Sequence, residues 1–184
     1  MSAQPTLHTV RLRLVPPSLS DAPEAARLAS DPAVADTAVR MPYPYPQGMA
    51  KAWIAASIVG WANDRCAVWK VVRGRHGVFL GAVSLTIDSE NRNAELGYWI
   101  RTDEWGRGYA TEAAVAAVAF AFGVLGLHRV HASCLRRNPA SARVLEKAGL
   151  CFEGCRPGHI YHRGKFEDVL EYGVVEGDRH ARNP

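Results

Sequence analysis

The segment between Trp105 and Ala113 is the part of the chain best suited to bind a small charged molecule. Gly106 and Gly108 flank Arg107, and a glycine lets the backbone approach a ligand closely because it has no Cβ. A long apolar run begins just after the second glycine. A helix starting there would direct unpaired N–H groups and a partial positive charge at the ligand. The pattern therefore predicts a loop that binds an anion such as a phosphate.

Two common phosphate-binding motifs do not fit this loop. A P-loop needs Gly-Lys-Ser or Gly-Lys-Thr before a helix, whereas the only Gly-Lys pair, Gly164-Lys165, precedes Phe166. A Rossmann fingerprint needs a glycine where this chain has Thr111, and an acidic residue about 20 positions further on. Residues 126–132 contain no acidic side chain. These differences argue against nucleotide hydrolysis and dinucleotide binding.

Three segments together resemble the GCN5-related N-acetyltransferases in order and spacing: Glu95–Ile100, the glycine loop, and residues 138–154. Within that family, the chain looks most like the branch that acetylates the N-termini of ribosomal proteins. The likeness is strong over residues 93–155 and rests on element order over residues 8–90. The family's loop usually opens with Gln or Arg, where this chain has Trp105. One side-chain contact to the cofactor is therefore expected to differ.

The resemblance implies an α/β fold with a mixed, mostly antiparallel central sheet of about seven strands and about four flanking helices. It also implies a split between the fourth and fifth strands that admits the pantetheine arm of acetyl-CoA. Gly97, inside an otherwise regular strand, favours a bulge or a close backbone approach there, and simple packing against a neighbour is the alternative. The residues expected to contact the cofactor are Tyr98, Trp99, Ile100, Gly106, Arg107, Gly108, Tyr109, Ala110, Thr111, Asn138 and Ser141.

The reaction implied is direct attack of a primary amine on acetyl-CoA, without a covalent acyl-enzyme and without a metal. An α-amino group, with a pKa of about 7.7–8.0, is mostly protonated at neutral pH, so a modest base suffices. Glu95 is the candidate base, and its alternative role is to pair with an arginine. Backbone N–H groups around Trp99 and Ile100 would bind the oxyanion. Ser141 is the candidate proton donor to the leaving thiolate, with Tyr109 as the alternative.

The expected acceptor is a protein N-terminus, such as that of a ribosomal protein. The alternatives are a small amine (amino sugar, polyamine or antibiotic) and, from another class of protein, a non-catalytic acyl-CoA-binding module. Two groups of side chains are candidates to contact the acceptor: Met41, Tyr43, Tyr45 and Trp53, and near the last hairpin His159, Tyr161 and His162. A histidine of the second group is the alternative base. Arg107 and one of Arg136, Arg137 and Arg143 are candidates to bind cofactor phosphates.

Two constellations of cysteine and histidine are disfavoured. Cys151, Cys155, His159 and His162 fall within a predicted strand, whereas zinc sites more often place closely spaced cysteines on a tight turn. Cys134 lies in a predicted buried strand without an identifiable partner, which does not favour a nucleophile. We therefore expect neither a zinc site nor a cysteine-based mechanism.

The composition suits a globular protein: 184 residues with 48% hydrophobic and 22% charged side chains predict one domain, residues 1–184, with an ordered core of about 8–176 and a frayed tail at 177–184. The longest apolar stretch is shorter than the roughly 20 residues of a membrane span.

The N-terminus has no signal-peptide pattern, so we expect a cytoplasmic protein with free thiols. The net charge of +4 is dispersed along the chain, which argues against nucleic acid as a partner. Monomer and homodimer both remain open.

Hydrophobic periodicity and turn residues predict the elements that would position the site. Asn138 is expected to cap a helix whose first residue is Pro139, and Gly149 to end it. A helix is expected to end before Asp31-Pro32. The predicted strands span residues 8–15, 66–72, 78–87, 93–100, 128–135, 151–160 and 165–175, and the second to fourth of them are expected to form an antiparallel meander. One predicted helix begins near Ser18 or Ser20, and three others span residues 47–62, 111–125 and 139–147.

Overall fold

The structure, a computed structural model, describes residues 3–74 and 77–178. Six residues of the predicted tail, 179–184, lie outside this part. The strands are β1 Leu7–His8, β2 Leu12–Val15, β3 Cys66–Arg73, β4 Val78–Asp88, β5 Asn93–Ile100, β6 Arg129–Leu135, β7 Cys151–His162 and β8 Lys165–Val175. The α-helices are α1 Ala22–Ala29, α2 Pro32–Thr37, α3 Met49–Ala62, α4 Tyr109–Gly123 and α5 Pro139–Lys147.

The strands form one sheet in the order β1-β2-β3-β4-β5-β6-β8-β7. Neighbouring strands are antiparallel except β5 and β6, which are parallel. This confirms the predicted fold class, with one more strand and one more helix among the described residues than expected. The extra strand arises because the first predicted strand is interrupted at Thr9, whose hydroxyl accepts a hydrogen bond from the Leu12 N–H at 2.9 Å.

The predicted end of the first helix before Asp31-Pro32 is confirmed, because α1 ends at Ala29. The same two residues start the extra helix, α2, where the sequence predicted a loop. Asp31 Oδ1 accepts a hydrogen bond from the Ala33 N–H at 2.9 Å, and Pro32 takes the first helical position, where a missing N–H costs nothing.

The other helices agree with prediction to within two residues at each end. Helix α4 begins at Tyr109 and ends at Gly123, two residues before the predicted limits at both ends. Helix α5 has the predicted limits, and Asn138 Oδ1 accepts a hydrogen bond from the Ser141 N–H at 3.1 Å. The expected N-cap is therefore present.

Helices cover both faces of the sheet. Helices α4 and α5 lie against the face formed by Leu96, Tyr98 and Ile100, whereas α1 and α3 lie on the face of Trp99. The fully buried Trp69 meets Phe120 of α4 edge to face, with ring centroids 5.1 Å apart. Four alanines of α4 are buried, which lets this helix approach the sheet closely: Ala113, Ala114, Ala117 and Ala121.

Strands β5 and β6 separate partway along their length. They are paired only at Asn93, Ala94 and Glu95 of β5, so the following five residues of β5 have β4 as their only partner strand. This confirms the predicted split, which we call the fork.

Gly97 does not mark a bulge, because its register with Ser84 is regular and an added Cβ would lie 3.1 Å from the Ser84 hydroxyl. The packing alternative is therefore correct for this glycine. Close backbone approach occurs instead at Gly81, where an added Cβ would clash with the Trp99 carbonyl oxygen.

Among the described residues, no helix is long and apolar enough to cross a membrane. Cys66, Cys134 and Cys155 are free thiols.

Candidate active site

Two cavities open on opposite faces of the sheet and meet at the fork. The α4–α5 cleft has a volume of about 290 Å³ and is bounded by the glycine loop and the two helices. The α1–α3 cavity, of about 390 Å³, lies between those helices and strands β4 and β5. Five residues line both spaces: Thr37, Ala38, Tyr98, Trp99 and Ser141. A molecule threaded through the fork would reach both.

The glycine loop supplies backbone donors at the α4–α5 cleft. Gly106 and Gly108 have φ values of +74° and +78°, in the left-handed region that glycine enters without strain. Gly108 precedes the first residue of α4, and no side chain caps that helix start. The first N–H groups of α4 therefore remain available to an anion, as the sequence predicts. Gly106, Gly108, Tyr109, Ala110 and Thr111 all line the cleft.

Trp105, the departure from the family's usual residue, ties the loop to the end of β5. Its indole N–H donates to the Ile100 carbonyl at 2.6 Å, and the ring lines the cleft. The side chain thus fixes the position of the loop in addition to contributing to the wall. A ligand in the cleft would meet an aromatic surface at this point.

Tyr109 is held away from a role as thiolate donor. Its ring is buried, with the Arg11 and Arg73 guanidinium carbons 4.7 and 5.7 Å from the ring centroid. Its hydroxyl accepts a hydrogen bond from Arg73 at 3.3 Å. The same arginine pairs with the buried Glu104 at 2.7 Å. This network holds the phenol beside β3, so the packing role is the one that the structure supports.

Arg107 and Glu112 connect the loop to its surroundings. Arg107 lies 3.3 Å from Glu104, so part of its charge is neutralised. Glu112 accepts hydrogen bonds from the Thr9 hydroxyl at 2.6 Å and from Arg11 Nε at 2.7 Å. Burial raises the pKa of the Glu112 carboxyl, but these hydrogen bonds and the Arg11 charge lower it to below its ordinary value. The ionised carboxylate therefore clamps the N-terminal turn onto α4.

Helix α5 brings two cations to the cleft. Arg143 and Lys147 line it, four residues apart and hence on one helix face. Of the other two candidate arginines, Arg136 lies 3.2 Å from Asp168, and Arg137 pairs with an aspartate of α2 and a glutamate of β8. Within the described chain Arg143 makes no ion pair, which favours it for a phosphate. Sequence reasoning missed Lys147, although its spacing from Arg143 is a usable signal.

Tyr98 and Ser141 form a pair of hydroxyl groups at the fork. The Tyr98 hydroxyl lies 2.8 Å from Ser141 Oγ and 3.1 Å from the Ser141 carbonyl; when its one proton is donated to the carbonyl, the Ser141 hydroxyl donates to Tyr98. Burial raises the pKa of the Tyr98 phenol well above its ordinary value, although the hydrogen bond with Ser141 opposes this. The phenol therefore stays protonated and able to donate. Sequence reasoning named Tyr98 as a cofactor contact only and missed its hydroxyl as a donor.

Cys134 adjoins this pair but lacks the properties of a nucleophile. It is buried, and burial raises the pKa of its thiol to about 11, even though a hydrogen bond with Ser141 acts in the opposite direction. Because the thiolate is the reactive form of cysteine, such a thiol is nearly inert at neutral pH.

Backbone amides at the fork point in alternating directions along β5. The Arg101 N–H donates to the Leu80 carbonyl of β4 at 2.8 Å, which continues the register of the β4–β5 pair. Since amide directions alternate along an antiparallel strand, the Trp99 N–H also faces β4, whereas the Tyr98 and Ile100 N–H groups face the gap. Of the two amides expected to bind an oxyanion, that of Ile100 is therefore suitably directed, and that of Trp99 is engaged within the sheet.

Glu95 lies at the base of the fork and lines the α1–α3 cavity. Its two carboxylate oxygens lie 2.9 and 2.6 Å from Nη2 of Arg40. The alternative role of pairing with an arginine is thus present, in a position that also faces the cavity. Among the described residues that line this cavity, Glu95 is the single carboxylate and Arg40 the single cation. Aromatic and sulfur-containing side chains supply much of the remaining wall: Met41, Tyr45, Met49, Trp53 and Trp99.

The remaining acceptor candidates lie outside both cavities. Tyr43 is exposed, with the Arg163 guanidinium 5.0 Å from its ring centroid. His159 Nε2 lies 2.6 Å from an Arg156 nitrogen, and Tyr161 packs on its hairpin neighbour near the surface. His162 is buried 4.0 Å from Asp36. Within residues 3–74 and 77–178, no group of three or more His, Cys, Asp or Glu side chains is placed to hold a metal ion.

A sheet forked between two parallel strands, with a glycine loop at the start of a helix beside the fork, defines the fold of the CoA-dependent acetyltransferases. The family described as "Acetyltransferase (GNAT) domain" matches residues 11–150. The chain therefore belongs to the GNAT family.

Three curated proteins show the range of acetyltransferases that this chain resembles. The chain is 31% identical to the uncharacterized N-acetyltransferase YoaA of Bacillus subtilis over 59% of this chain and 62% of that protein. It is 34% identical to the putative ribosomal N-acetyltransferase YdaF of the same organism over 54% and 55%, respectively. These two matches thus span less than two thirds of the relatives' own length. An FsC-acetyl coenzyme A-N(2)-transacetylase of Aspergillus fumigatus is 31% identical over 97% of this chain and 75% of that protein.

Solved structures share the fold at lower identity. RimL, a ribosomal L7/L12 α-N-protein acetyltransferase in complex with coenzyme A, superposes with a TM-score of 0.82 at 20% identity, covering 91% of this chain and 95% of that one. Spermidine N-acetyltransferase from Vibrio cholerae, in complex with CoA and spermine, gives 0.81 at 18% identity, covering 94% and 99%.

Proposed function

We propose that this protein transfers the acetyl group of acetyl-CoA to a primary amine by direct attack. The observation that carries the proposal is the meeting of the two cavities at the fork, where the Tyr98 and Ser141 hydroxyls adjoin both cavities and the Glu95 carboxylate faces the α1–α3 cavity. Acetyl-CoA would lie in the α4–α5 cleft with its thioester at Tyr98 and Ser141. The amine would lie in the α1–α3 cavity beside Glu95.

The α4–α5 cleft supports acetyl-CoA binding along its length. The pyrophosphate would accept hydrogen bonds from the uncapped N–H groups of α4, beyond Gly106 and Gly108. The adenosine 3′-phosphate would pair with Arg143 and Lys147, since the other candidate arginines are engaged in ion pairs. Asn138 Oδ1 is occupied by its cap, which leaves the Asn138 amide N–H groups for the cofactor.

Each step of the transfer has a group in reach. Glu95 would take a proton from the acceptor ammonium, because only the neutral amine attacks. The oxyanion formed at the carbonyl carbon would accept a hydrogen bond from the Ile100 N–H. As the C–S bond breaks, the CoA thiolate would receive a hydrogen bond or a proton from Ser141 or Tyr98, whose hydroxyls are 2.8 Å apart. The second proton, which the attacking nitrogen gives up as the amide forms, would restore that hydroxyl, so the products are the amide and neutral CoA thiol.

We propose the α-amino group of a polypeptide N-terminus as the acceptor. A cavity whose lining has one carboxylate among the described residues matches an acceptor with one ammonium, whereas a polyamine carries several. The names of RimL and YdaF are consistent with this choice. A small amine is the second candidate, favoured by the aromatic lining and by the shared fold of the spermidine N-acetyltransferase from Vibrio cholerae.

An acceptor panel tests the proposal. Purified protein is incubated with acetyl-CoA and peptides beginning with Ser or Ala, the same peptides with blocked N-termini, spermidine and an amino sugar, and CoA release and product mass are measured. Among the peptides, we expect only those with a free N-terminus to be acetylated. Acetylation of spermidine or the sugar alone would replace the peptide acceptor with the small amine. If acetyl-CoA stabilises the protein against heat yet no amine is acetylated, the catalytic proposal is wrong and a binding module remains.

A further inference from the structure

The ion pair between Arg40 and Glu95 joins two walls of the α1–α3 cavity. Arg40 belongs to the strap, residues 38–48 between α2 and α3, and Glu95 belongs to β5. Both side chains line the cavity, and a single guanidinium nitrogen contacts both carboxylate oxygens. The pair therefore stands where an acceptor amine would have to reach Glu95.

This pairing masks the proposed base. An arginine remains charged at all physiological pH values and does not give up its proton, so it blocks Glu95 without replacing it in proton transfer. The Arg40 side chain is 75% exposed and that of Glu95 is 25% exposed. Ion pairs exposed to this extent contribute little to stability, because water screens their charges. An incoming ammonium can therefore displace the guanidinium at small cost.

A displaced Arg40 would still stand at the cavity wall with a full set of donors. Its Nε and Nη1 hydrogen-bond to none of the described residues even in the closed pair. The guanidinium is a planar fork suited to oxygen acceptors, and no second cation among the described residues lines this cavity. An acceptor with an oxygen near its amine would satisfy both members of the pair.

We propose that Arg40 selects the acceptor: the substrate ammonium takes the place of the guanidinium on Glu95, and the guanidinium binds the oxygen next to the amine. This inference rests on the proposed function and deepens it. The acceptor class is then an α-amino carbonyl compound, in which a carbonyl or carboxylate carbon adjoins the amine-bearing carbon. Polypeptide N-termini and free amino acids share this chemistry, whereas alkylamines and polyamines lack it.

The test compares Arg40→Met, which keeps most of the side-chain length, with Arg27→Met. Arg27 is a matched control because it is also exposed and pairs with a glutamate, Glu24, at 2.6 Å, yet lines neither cavity. We measure kcat/KM for alaninamide, free alanine, an alanyl peptide and butylamine. Arg40→Met should lower kcat/KM for alaninamide and the peptide about tenfold or more relative to butylamine, the effect of losing one charged hydrogen bond.

Arg27→Met should leave that ratio unchanged. Free alanine separates the two oxygen sources: a loss larger for alanine than for alaninamide assigns the site to a carboxylate, and a similar loss assigns it to a carbonyl. Equal losses for butylamine and alaninamide, or no loss for either, would overturn the selective role.

A second measurement does not depend on turnover. Calorimetry gives the dissociation constants of alaninamide and butylamine for the complex of the protein with CoA. If Arg40→Met weakens binding of alaninamide alone while the wild-type protein acetylates no amine, the proposed function fails and the selective role stands. If neither dissociation constant changes, the selective role is wrong, whether or not the protein acetylates amines.

Discussion

The two sides of the fork recognise their ligands by different physical means. The α4–α5 cleft presents uncapped helix N–H groups and two cations of α5, a surface suited to phosphates. The α1–α3 cavity presents apolar and aromatic walls with a single ion pair, Arg40–Glu95, among its described lining residues. The first side suits a cofactor common to a whole family. The second depends on shape and one exchangeable pair, which are features that can change without altering the fold.

The largest effect is expected from a change at Glu95, the proposed general base on the acceptor side of the fork. Glu95→Gln removes the proton acceptor but keeps the shape, so kcat/KM should fall about 100-fold or more, the usual contribution of a general base. The affinity for acetyl-CoA, which lies on the other side of the fork, should stay the same. Glu24→Gln, on the outer face of α1, is the control. A loss below threefold, with unaltered pH dependence of the rate, would remove Glu95 from the mechanism.

A smaller loss is expected at the junction of the two sides. Ser141→Ala removes one of the two hydroxyls at the fork but leaves Tyr98 able to donate. We expect kcat to fall about tenfold, less than the roughly 100-fold usual for acid catalysis because Tyr98 can still donate, and the double variant Ser141→Ala/Tyr98→Phe should lower kcat further. Transfer from a thioester with a more acidic leaving thiol should suffer less, since it needs less help. If both variants keep full kcat, the departing thiolate receives its proton elsewhere.

A substitution at one backbone position of the glycine loop should weaken cofactor binding in the α4–α5 cleft without altering the α1–α3 cavity. Gly106→Ala places a Cβ in open space but forces a non-glycine residue to φ of +74°, which costs about 1–2 kcal/mol. Because distortion of the loop moves its amide donors, acetyl-CoA affinity should fall about tenfold. Gly123→Ala, also in open space but without a positive φ, is the matched control. Equal affinity in the two variants would show that loop geometry does not govern binding.

The charge of α5 gives a more moderate prediction. Arg143→Ala should lower the affinity for acetyl-CoA several-fold, which is the usual contribution of an exposed charged contact, and should have little effect on the affinity for 3′-dephospho-CoA. Arg136→Ala should weaken neither, since that side chain already pairs with Asp168. The measurement is the affinity of each variant for both cofactors. An equal loss with the dephosphorylated cofactor would mean that Arg143 does not bind the 3′-phosphate.

The smallest expected effect concerns stability. The folded state lowers the pKa of Glu112 below its ordinary value, so its contribution to stability is present above that value and is lost as pH falls through the folded-state pKa. Glu112→Gln should therefore cost about 1 kcal/mol at pH 7, and the difference from wild type should shrink as pH falls through the folded-state pKa of Glu112. Urea unfolding over a pH series from 7 into acid measures it. A difference that persists in acid would assign the cost to packing.

The two sides of the fork differ in how well the sequence predicts them, because their interactions join residues at different separations along the chain. On the cofactor side, Gly108 and the Asn138-Pro139 pair act through neighbouring residues, so the glycine loop and the cap of α5 were predictable from local rules. The same local signal occurs at Asp31-Pro32, where the aspartate caps α2 and the proline takes its first position, so this helix start also has a signature in the sequence.

The acceptor side depends on contacts between residues far apart in the chain. Glu95 and Arg40 are separated by 55 positions, and the sequence offers several arginines as possible partners. The Tyr98–Ser141 pair spans 43 positions and exists because the fork brings β5 beside α5. Neither pairing has a local signature, so the residue types were predictable and the partners were not. The orientation of the Ile100 amide likewise required the strand register.

The most direct test of the account is a crystal structure with a bisubstrate analogue, in which the sulfur of CoA is joined through an acetyl bridge to the α-amino group of an alanyl peptide. The account predicts that the pantetheine arm passes through the fork, the sulfur lies within hydrogen-bonding distance of the Ser141 or Tyr98 hydroxyl, and the peptide nitrogen lies beside Glu95 in the α1–α3 cavity. A peptide placed instead over the β7–β8 hairpin near His159, or a pantetheine arm outside the fork, would contradict it.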